Sequence, residues 1–291
     1  MRDDGLVKYP RTIHLEGSRL QDGDGKDTLS FQSLIGKHVV LEEKMDGANC
    51  GVSFGPNDEL LLQSRGHFLT GGGGERHFNL LKEWAVCHQD ALRDVLGQEY
   101  IMYGEWMYAK HSVFYDRLPH YFLEFDLYER STQQFLSTKK RGDVLKSIPV
   151  VSVPVLFEGV VDPDMARKPQ DFLKRLVVPS LGKSDTWQES LDKVISSQQL
   201  DKDMTWKQTD NDTTSEGLYG KIEEGDYCVG RFKYVRHSFT QSILDEGTHW
   251  KKRPLLPNQL KQGQNIYSPT IDKSWPSPQW VKPSTSKKLK K

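Results

Sequence analysis

A single lysine stands where a side chain could act as a nucleophile. Lys44 follows the apolar run 39–41 and precedes the turn signal Asp46-Gly47, after which residues 50–54 are again strand-like. A lysine at the end of an apolar strand is poorly solvated. Both desolvation and nearby positive charge lower the pKa of its ammonium group from about 10.4. Since a neutral amine attacks electrophiles, the position predicts covalent chemistry at Nζ.

The stretch around Lys44 also fits a simpler interpretation, a surface lysine beside a hairpin turn. The pattern K-x-D-G is short, and at average residue usage it arises by chance in about one chain in ten of this length. The stretch itself does not decide between the two interpretations, so the elements that position the lysine must do so.

The composition limits the class of protein. A chain of 291 residues allows one large domain, or one domain with a small appendage. The formal net charge is +0, so any contact with nucleic acid must come from local patches. No apolar run approaches the about 20 residues of a membrane span, and the charged start lacks the apolar core of a signal peptide.

The three cysteines, Cys50, Cys87 and Cys228, lie far apart in the sequence. None is part of a C-x-x-C pair, so neither a zinc site nor a disulfide framework is predicted. We expect all three to be buried, reduced thiols. Reduced thiols fit a reducing cytosol, and we expect a cytoplasmic protein.

Hydrophobic spacing predicts the elements around the lysine. Apolar residues at helical spacing predict a core-facing helix over 75–96, and Ser137 or Thr138 is the predicted N-cap of a helix that ends near Lys146. The other predicted helices are 169–177, 187–199 and 238–245. The predicted strands are 38–43, 49–54, 60–64, 100–106, 121–128, 150–157, 216–223 and 226–235.

Several segments predict loops rather than sites. Residues 21–27 have Asp/Gly spacing like part of a calcium loop but lack its closing glutamate, so we expect a turn. The glycines 71–74 could cradle phosphate, but they lie outside the G-x-x-x-x-G-K-[ST] frame, and we expect a mobile loop. From about Lys261 onward the composition predicts weak packing or disorder. The basic end 287–291 either contacts nucleic acid or is solvated.

Acidic residues interrupt strands that are otherwise apolar. Glu105 lies in the run 100–106, and Glu124 and Asp126 lie in the run 121–128. A buried carboxylate is costly without a partner. Cross-strand lysine or arginine would be a structural partner, and a bound polar ligand or metal a functional one.

Six short fragments stand in a characteristic order, and together they decide what each leaves open. They are Lys44-x-Asp46-Gly47-x-Asn49, Ser64-Arg65-Gly66, Tyr103-Gly104-Glu105-Trp106, 122–128, Glu216-Gly217 and Arg231-Phe232-Lys233. This order resembles the covalent nucleotidyltransferase superfamily of polynucleotide ligases and mRNA capping enzymes. In detail it resembles the RNA ligase branch, in which E-K-x-x-G-x-N and S-R-G are characteristic. The resemblance runs from about Lys37 to His237.

The resemblance implies a fold and a division of the chain. Residues 37–237 would form an α+β nucleotidyltransferase domain, ATP-grasp-like, of antiparallel β-sheets flanked by helices, with the nucleotide between the sheets. Residues 1–36 would be an irregular segment packed on this core. Residues 238–291 would be a short helix and a basic tail rich in proline and serine.

The resemblance also implies a reaction. Lys44 would attack the α-phosphorus of ATP and release pyrophosphate, the AMP would move to a 5′-phosphate end, and a 3′-hydroxyl would then displace it. Arg231 and Lys233 would bring positive charge to the α-phosphate and depress the pKa of Lys44 by repulsion. Many relatives have lysine where Arg231 stands. Because arginine does not shuttle a proton, Lys233 would supply any proton transfer at this step.

Further site residues follow from the same resemblance. Glu216 would hold a divalent metal, Mg²⁺ or Mn²⁺, as a hard oxygen ligand. The implied nucleotide contacts are Glu43 with the adenine amino group, Phe125 stacked on adenine, Glu105 with a ribose hydroxyl, Asn49 with the ribose or the reactive strand, and Arg65 with the sugar or the strand end.

The implied substrate is RNA with 5′-phosphate and 3′-hydroxyl ends, and a polynucleotide kinase-phosphatase that prepares such ends is a candidate partner. We expect a monomer without a membrane association. One alternative is a DNA ligase or capping guanylyltransferase, which we disfavour because the residues after Lys233 do not make a five-stranded barrel. The other is a non-catalytic binder of nucleic-acid ends, against which the intact set of lysine, acids and basic residues argues.

Overall fold

A computed structural model of the protein describes residues 5–20, 27–239 and 254–275. In these ranges one twelve-stranded sheet, mostly antiparallel, is flanked by helices, so the predicted α+β class is confirmed. None of the described helices is both long enough and apolar enough to cross a membrane. The basic end and nearly all of the loop 21–27 and of the predicted helix 238–245 lie outside the described residues.

The strands of the sheet are numbered in chain order. They are β1 (Ile13–Leu15), β2 (Thr28–Leu29), β3 (His38–Glu43), β4 (Ala48–Phe54), β5 (Leu60–Ser64), β6 (Tyr100–Trp106), β7 (Phe122–Glu129), β8 (Gln134–Leu136), β9 (Val151–Ser152), β10 (Val155–Val160), β11 (Gly217–Glu224) and β12 (Tyr227–Val235). The predicted bounds of β3, β5 and β6 are confirmed to the residue, and those of β4, β7, β11 and β12 to within one.

The helices are short. They are α1 (Asn79–Cys87), α2 (Gln89–Leu96), α3 (Thr138–Leu145), α4 (Pro163–Arg167), α5 (Pro169–Leu176), α6 (Trp187–Ser197) and α7 (Lys202–Lys207), with 3-10 turns at Phe31–Leu34 and Gly73–Phe78. The long helix predicted over 75–96 is therefore a 3-10 turn and two helices. The predicted N-cap of α3 is confirmed, since the Ser137 hydroxyl accepts from the Lys140 N–H.

The sheet consists of two halves. In the order β10-β3-β11-β12-β8-β7-β6-β4-β5, the three-residue β8 is the joint between β12 and β7. The predicted pair of sheets is therefore one continuous sheet. The predicted strand 150–157 is split at Pro154, which has no N–H for a ladder, and its two parts serve different halves: β9 pairs with β7 and β10 with β3.

The N-terminal segment differs from the irregular segment predicted for it. β1 lies parallel to β12, with Ile13 opposite Phe232 and His14 opposite Lys233, and β2 lies parallel to β1. Leu15 is fully buried. A parallel strand of three residues has too little sequence for a period-two pattern to be recognised.

The C-terminal residues 254–275 contact the body of the protein at a few positions, and those from Lys261 onward are weakly packed, as predicted, since only Ile266 among the described residues 261–275 is buried. Ile266 is buried in the cluster that contains Trp84, and the Trp275 indole donates to the Ser152 carbonyl at 2.8 Å. These residues are isolated apolar anchors in a polar stretch, which window-based composition conceals.

The cysteines are free, as predicted, but only two of the three predicted burials are correct. Cys50 and Cys228 are buried, whereas Cys87 is exposed. Cys87 is the last residue of α1, and the core-facing stripe of that helix is formed by Leu81, Trp84 and Ala85 instead.

We predict that His120 makes the protein less stable at mildly acidic pH. His120 is buried beside Trp84, and its Nδ1 accepts from the Phe122 N–H at 2.9 Å. Burial lowers the pKa of His120 from 6.5 to about 4. The unfolded chain therefore takes up a proton as the pH falls below its ordinary pKa, while the folded chain stays neutral until about pH 4. This costs about 2 kcal/mol of unfolding free energy between about pH 7 and pH 5.

Urea unfolding at the two pH values would test this contribution. His120→Asn keeps an acceptor for the Phe122 N–H but cannot titrate, so its loss of stability between the two pH values should be smaller than that of the wild type. His38→Asn changes a half-buried histidine at the start of β3 and is the matched control. An identical pH dependence in wild type and His120→Asn would contradict the assignment.

Candidate active site

A cavity of about 480 Å³ opens between the two halves of the sheet. Residues of β3, β11 and β12 line one side, and residues of β4, β6 and β7 the other. The predicted site residues that line it are Glu43, Lys44, Asn49, Arg65, Glu105, Phe125 and Lys233. The glycines 71–74 are not among its lining residues.

The strand register explains why these side chains meet. Across β3, β11, β12 and β1, one row runs through Glu42, Tyr219, Lys233 and His14, and all four line the cavity. On the opposite side Asn49 is paired with Glu105. Neighbours in such a row share one face of the sheet, so the ladder fixes their common orientation.

Lys44 lies directly after β3, where the chain leaves the sheet. Its N–H donates to the Gly217 carbonyl at 3.0 Å, and its Nζ donates to Glu216 Oε2 at 2.8 Å. The Lys44 side chain is 25% exposed and that of Glu216 is 6% exposed. The predicted nucleophile and the predicted metal ligand therefore form an ion pair.

The predicted lowering of the Lys44 pKa is wrong, because the structure gives a shift in the opposite direction. Burial lowers the pKa, but the carboxylates of Glu216, Glu105 and Asp46 outweigh burial, and the pKa of Lys44 is raised above its ordinary value. The prediction considered the cations Arg231 and Lys233, whereas the groups in contact with Nζ or close to it are acids. Lys44 is therefore an ammonium ion here.

The acids around Lys44 are themselves perturbed. Burial raises the pKa of Glu105 to about 8 and that of Glu216 to about 7, and in both cases Lys44 acts in the opposite direction. The Asp46 carboxylate, close to both, accepts from two backbone N–H groups, those of Ser112 and Val113, at 2.7 Å. One ammonium thus faces three carboxyl groups, an excess of acidic groups over cations, and the raised pKa values of Glu105 and Glu216 show that Lys44 alone does not compensate the burial of their charge.

This excess is the test of the predicted metal site. Buried carboxylate oxygens are the donors that Mg²⁺ and Mn²⁺ prefer, and Mg²⁺ is commonly held by one or two carboxylates together with substrate phosphates. Among the described residues no group of three or more His, Cys, Asp or Glu side chains is arranged to hold a metal ion by itself. Glu216 therefore fits a metal shared with a ligand rather than a fully protein-bound ion.

Glu43 lines the cavity, but its carboxylate is hydrogen-bonded within the protein. Its Oε1 accepts from the Ser180 hydroxyl and its Oε2 from the Leu181 N–H at 3.1 Å. Burial raises the pKa of Glu43 to about 7, and these two hydrogen bonds act in the opposite direction. With both oxygens engaged, Glu43 anchors the loop around residue 180 to the end of β3.

Asn49 and Arg65 present unused polar groups to the cavity side. The Oδ1 of Asn49 is buried and has no hydrogen-bond partner within the described residues. Arg65, directly after β5, is exposed. A buried acceptor without a partner is unfavourable unless a ligand or water supplies a donor. Both positions fit a polar ligand that enters from this side.

Three aromatic rings form the apolar end of the cavity. The Phe125 ring lies 5.2 Å from that of Tyr9 and 6.1 Å from that of Tyr219, measured between centroids. All three residues line the cavity. An apolar end beside a charged end suits a ligand that has a flat ring at one end and anionic groups at the other.

Arg231 lies behind the cavity wall and not among its lining residues. Its guanidinium is 3.7 Å from the Phe135 ring centroid, and its Nη1 is 3.8 Å from Asp126 Oδ2. This location does not fit the predicted role at the α-phosphate. Of the two predicted cations, Lys233 faces the cavity.

A buried ion network forms the floor beneath the cavity. Arg141 pairs with Glu42 and with Glu124, and Lys221 pairs with Glu42 at 3.0 Å and with Asp126 at 3.2 Å. All five are essentially inaccessible to solvent. The acids of the run 121–128 therefore have basic partners within the protein: Arg141 on α3 pairs with Glu124, and Lys221 on β11 pairs with Asp126.

Sequence reasoning missed part of the cavity. Tyr219 is in line with Lys233, and a period-two count along β11 from Gly217 would have placed it on the cavity face. Tyr9, Arg11, Thr12 and His14 come from the N-terminal segment. No motif marks them, because only the pairing of β1 with β12 brings them to the site.

The fold and the cavity together define a class of protein. It is an α+β protein in which Lys44, the neighbouring acids and Lys233 surround a cavity with one charged end and one aromatic end. The sequence model for RNA ligase matches residues 37–235. The chain therefore belongs to the RNA ligase family. No curated protein matches it by overall sequence.

Solved structures give weaker likenesses. The RNA ligase of Naegleria gruberi with PPi is 17% identical with a TM-score of 0.49, and the match covers 80% of this chain and 61% of that one. An archaeal ATP-dependent RNA ligase is 16% identical with a TM-score of 0.46, covering 80% and 49%. A mutant of the Naegleria gruberi ligase with ATP and Mn is 16% identical with a TM-score of 0.45, and the match covers 71% of this chain and 52% of that one. The chain thus spans about half the length of several solved relatives.

Removing Arg141 should destabilise the protein through the ion network beneath the cavity. Arg141→Met leaves the buried carboxylates of Glu42 and Glu124 short of a cation, which we expect to lower the unfolding free energy by about 3–5 kcal/mol. Urea denaturation followed by circular dichroism measures this change. Arg167→Met is the matched control, since Arg167 pairs with Asp164 at the surface with 78% of its side chain exposed. Equal stability of the two variants would show that the network is not needed.

Proposed function

We propose that this protein is an ATP-dependent RNA ligase that joins 5′-phosphate and 3′-hydroxyl RNA ends through a lysyl-AMP formed on Lys44. One observation carries the proposal. In a chain of the RNA ligase family, Lys44 and Lys233 line the same cavity, and the Lys44 Nζ contacts Glu216 at 2.8 Å.

Lys44 is the nucleophile in this proposal. Its Nζ forms a bond to the α-phosphorus of ATP, the bond to the bridging oxygen breaks, and pyrophosphate leaves. The ammonium must first lose a proton, which passes to solvent because 25% of the Lys44 side chain is exposed. A divalent cation held by Glu216 would compete with Nζ for the carboxylate, remove the interaction that raises the pKa of Lys44, and neutralise phosphate charge.

The other lining residues suit the parts of a nucleotide. Lys233 supplies positive charge for the phosphates, Phe125 and Tyr219 offer rings for the base, and Glu105 and Asn49 offer acceptors for ribose hydroxyls. Arg65 lies at the exposed rim, where a strand end would approach. The hydrogen bonds of Glu43 and the stacking of Arg231 favour supporting roles for these two residues.

The RNA substrate follows from the family rather than from a surface of this chain. The proposed ends are a 5′-phosphate and a 3′-hydroxyl, and a polynucleotide kinase-phosphatase remains a candidate supplier of such ends. After transfer of AMP to the 5′-phosphate, attack by the 3′-hydroxyl forms the phosphodiester and releases AMP, so each joining consumes one ATP.

We predict that Lys44→Ala abolishes covalent labelling. Wild-type protein incubated with Mg²⁺ and ATP labelled at the α-phosphate should give a labelled band on a denaturing gel, and Lys44→Ala should give none, since the amine that bonds to phosphorus is missing. Lys202→Ala, which changes an exposed lysine paired with Asp192, is the matched control and should label like wild type.

The same gel separates the alternatives. A band from labelled GTP but not ATP would support a capping guanylyltransferase, and no band from either would support a non-catalytic binder of ends. A band that survives in Lys44→Ala would remove Lys44 as the nucleophile. Pre-adenylated RNA and DNA ends, duplex and single-stranded, would then define the substrate.

Glu216→Ala should abolish joining while ATP still binds. We expect the joining rate to fall at least about 100-fold, because a metal contributes several kcal/mol of transition-state charge stabilisation. The readouts are sealing of a 5′-phosphate RNA at several Mg²⁺ concentrations and ATP affinity by calorimetry. Glu224→Ala, at the exposed far end of β11, the strand that follows Glu216, is the control. Robust sealing by Glu216→Ala would refute the metal assignment.

A further inference from the structure

The N-terminal segment 5–15 crosses the aromatic end of the cavity. The Val7 carbonyl accepts from the Tyr103 hydroxyl at 2.7 Å and from the Gln63 amide at 2.9 Å, and beyond Tyr9 the segment joins the sheet as β1. It is thus fixed on both sides of Tyr9. The segment precedes the stretch 37–235 that the RNA ligase model matches.

Three hydroxyl groups in this region form a hydrogen-bonded chain with a defined direction. The Tyr9 hydroxyl donates to Asp126 Oδ2. A phenol has one hydrogen, so in the contact between the hydroxyls of Tyr9 and Tyr219, Tyr219 must be the donor. The Tyr219 oxygen is then an acceptor for the Thr12 hydroxyl, which lies 3.2 Å away. The donors therefore run from Thr12 to Tyr219, to Tyr9 and to Asp126.

This chain ends on a buried charge. Asp126 is held by Lys221 at 3.2 Å and by Arg231 at 3.8 Å, within the floor network. Hydrogen bonds to a charged acceptor are stronger than neutral ones, and consecutive hydrogen bonds polarise one another. The half-buried Tyr219 ring is therefore held firmly at one position.

That position is too close to Phe125 for a base to lie between the two rings. Their centroids are 6.1 Å apart and their planes are inclined by 37°. A flat ring stacked between two others needs two van der Waals separations, about 7–8 Å in total. Phe125 is 9% exposed and packed against Tyr9, so the half-buried Tyr219 is the ring that has to move.

We propose that Tyr9 and Thr12 are positioning residues that act through Tyr219 and keep the base slot closed until ATP opens it. The inference rests on the proposed function in one respect, the stacking of the base on Phe125. Entry of the base displaces Tyr219 and breaks its hydrogen bonds with Thr12 and Tyr9. Tyr9 and Thr12 thereby set the affinity for ATP through the base slot.

Removal of the Tyr219 hydroxyl tests the closed slot. Tyr219→Phe keeps the ring but breaks both hydrogen bonds, and we expect ATP to bind about 3- to 10-fold more tightly by calorimetry, from the modest net strength of such bonds. The KM for ATP in lysyl-AMP formation should fall by the same factor. Unchanged or weaker ATP binding in Tyr219→Phe overturns the proposal.

Substitutions of Thr12 and Tyr9, the N-terminal hydrogen-bond partners of Tyr219, test the proposal independently. Thr12→Val should tighten ATP binding, and Thr12→Ser, which keeps the hydroxyl, should behave like wild type. Tyr9→Phe should also tighten binding, and Tyr9→Phe combined with Tyr219→Phe should equal Tyr219→Phe alone, because both remove the same contact. A loss of affinity that tracks a lower melting temperature would show that these residues only support the fold, and would refute the proposal.

Tyr234→Phe is the matched control. It removes a tyrosine hydroxyl from β12 that bonds Gln170 Oε1 at 3.0 Å, away from the cavity, and ATP affinity should not change. Calorimetry separates this inference from the proposed function. ATP binding without labelling of wild type refutes the ligase but leaves the slot testable, whereas labelling with unchanged affinity in Tyr219→Phe refutes only the slot.

Discussion

The structure depends on a buried ion network that joins the two halves of the sheet beneath the cavity. Glu42 and Lys221 come from β3 and β11, Glu124 and Asp126 come from β7, and Arg141 on α3 reaches both sides. Between the halves the strand ladder runs through the three-residue β8. Apolar packing tolerates sliding, whereas paired charges in a low dielectric demand fixed distances. The network therefore fixes the separation of the walls as well as closing the floor.

The chemistry of the site follows from what lies above that floor. The network uses its cations to balance its own acids, so they cannot compensate the acids around Lys44. The result is a local excess of carboxylate in contact with the lysine, opposite to the cationic surroundings expected from the motif. A lysine in such surroundings is held as an ammonium ion, and its activation requires the charges around it to change when ligand arrives.

The sequence specified the strands around the site and not the way in which they meet. β3, β5 and β6 could be predicted to the residue because each is a short apolar run with a glycine-containing turn or a glycine next to at least one of its ends. The motif residues then met as expected, since strand pairing puts Asn49 beside Glu105. Arg231 was misplaced because motif order does not reveal that Phe135 on the unpredicted β8 offers it an aromatic face. The Lys44 pKa depends on distances to acids on three different segments, which no local pattern contains.

The position of β1 also bears on how the cavity forms. Tyr9 and Tyr219, which meet at its aromatic end, are 210 positions apart along the chain, and β1 pairs with β12, the last strand. Contacts between such distant segments form late, because a long loop must close before they stabilise anything. During synthesis, β3 has no β11 beside it and β1 no β12 until the hairpin has left the ribosome. A nascent chain therefore lacks the cavity, and assembly of the cavity marks the completion of the domain.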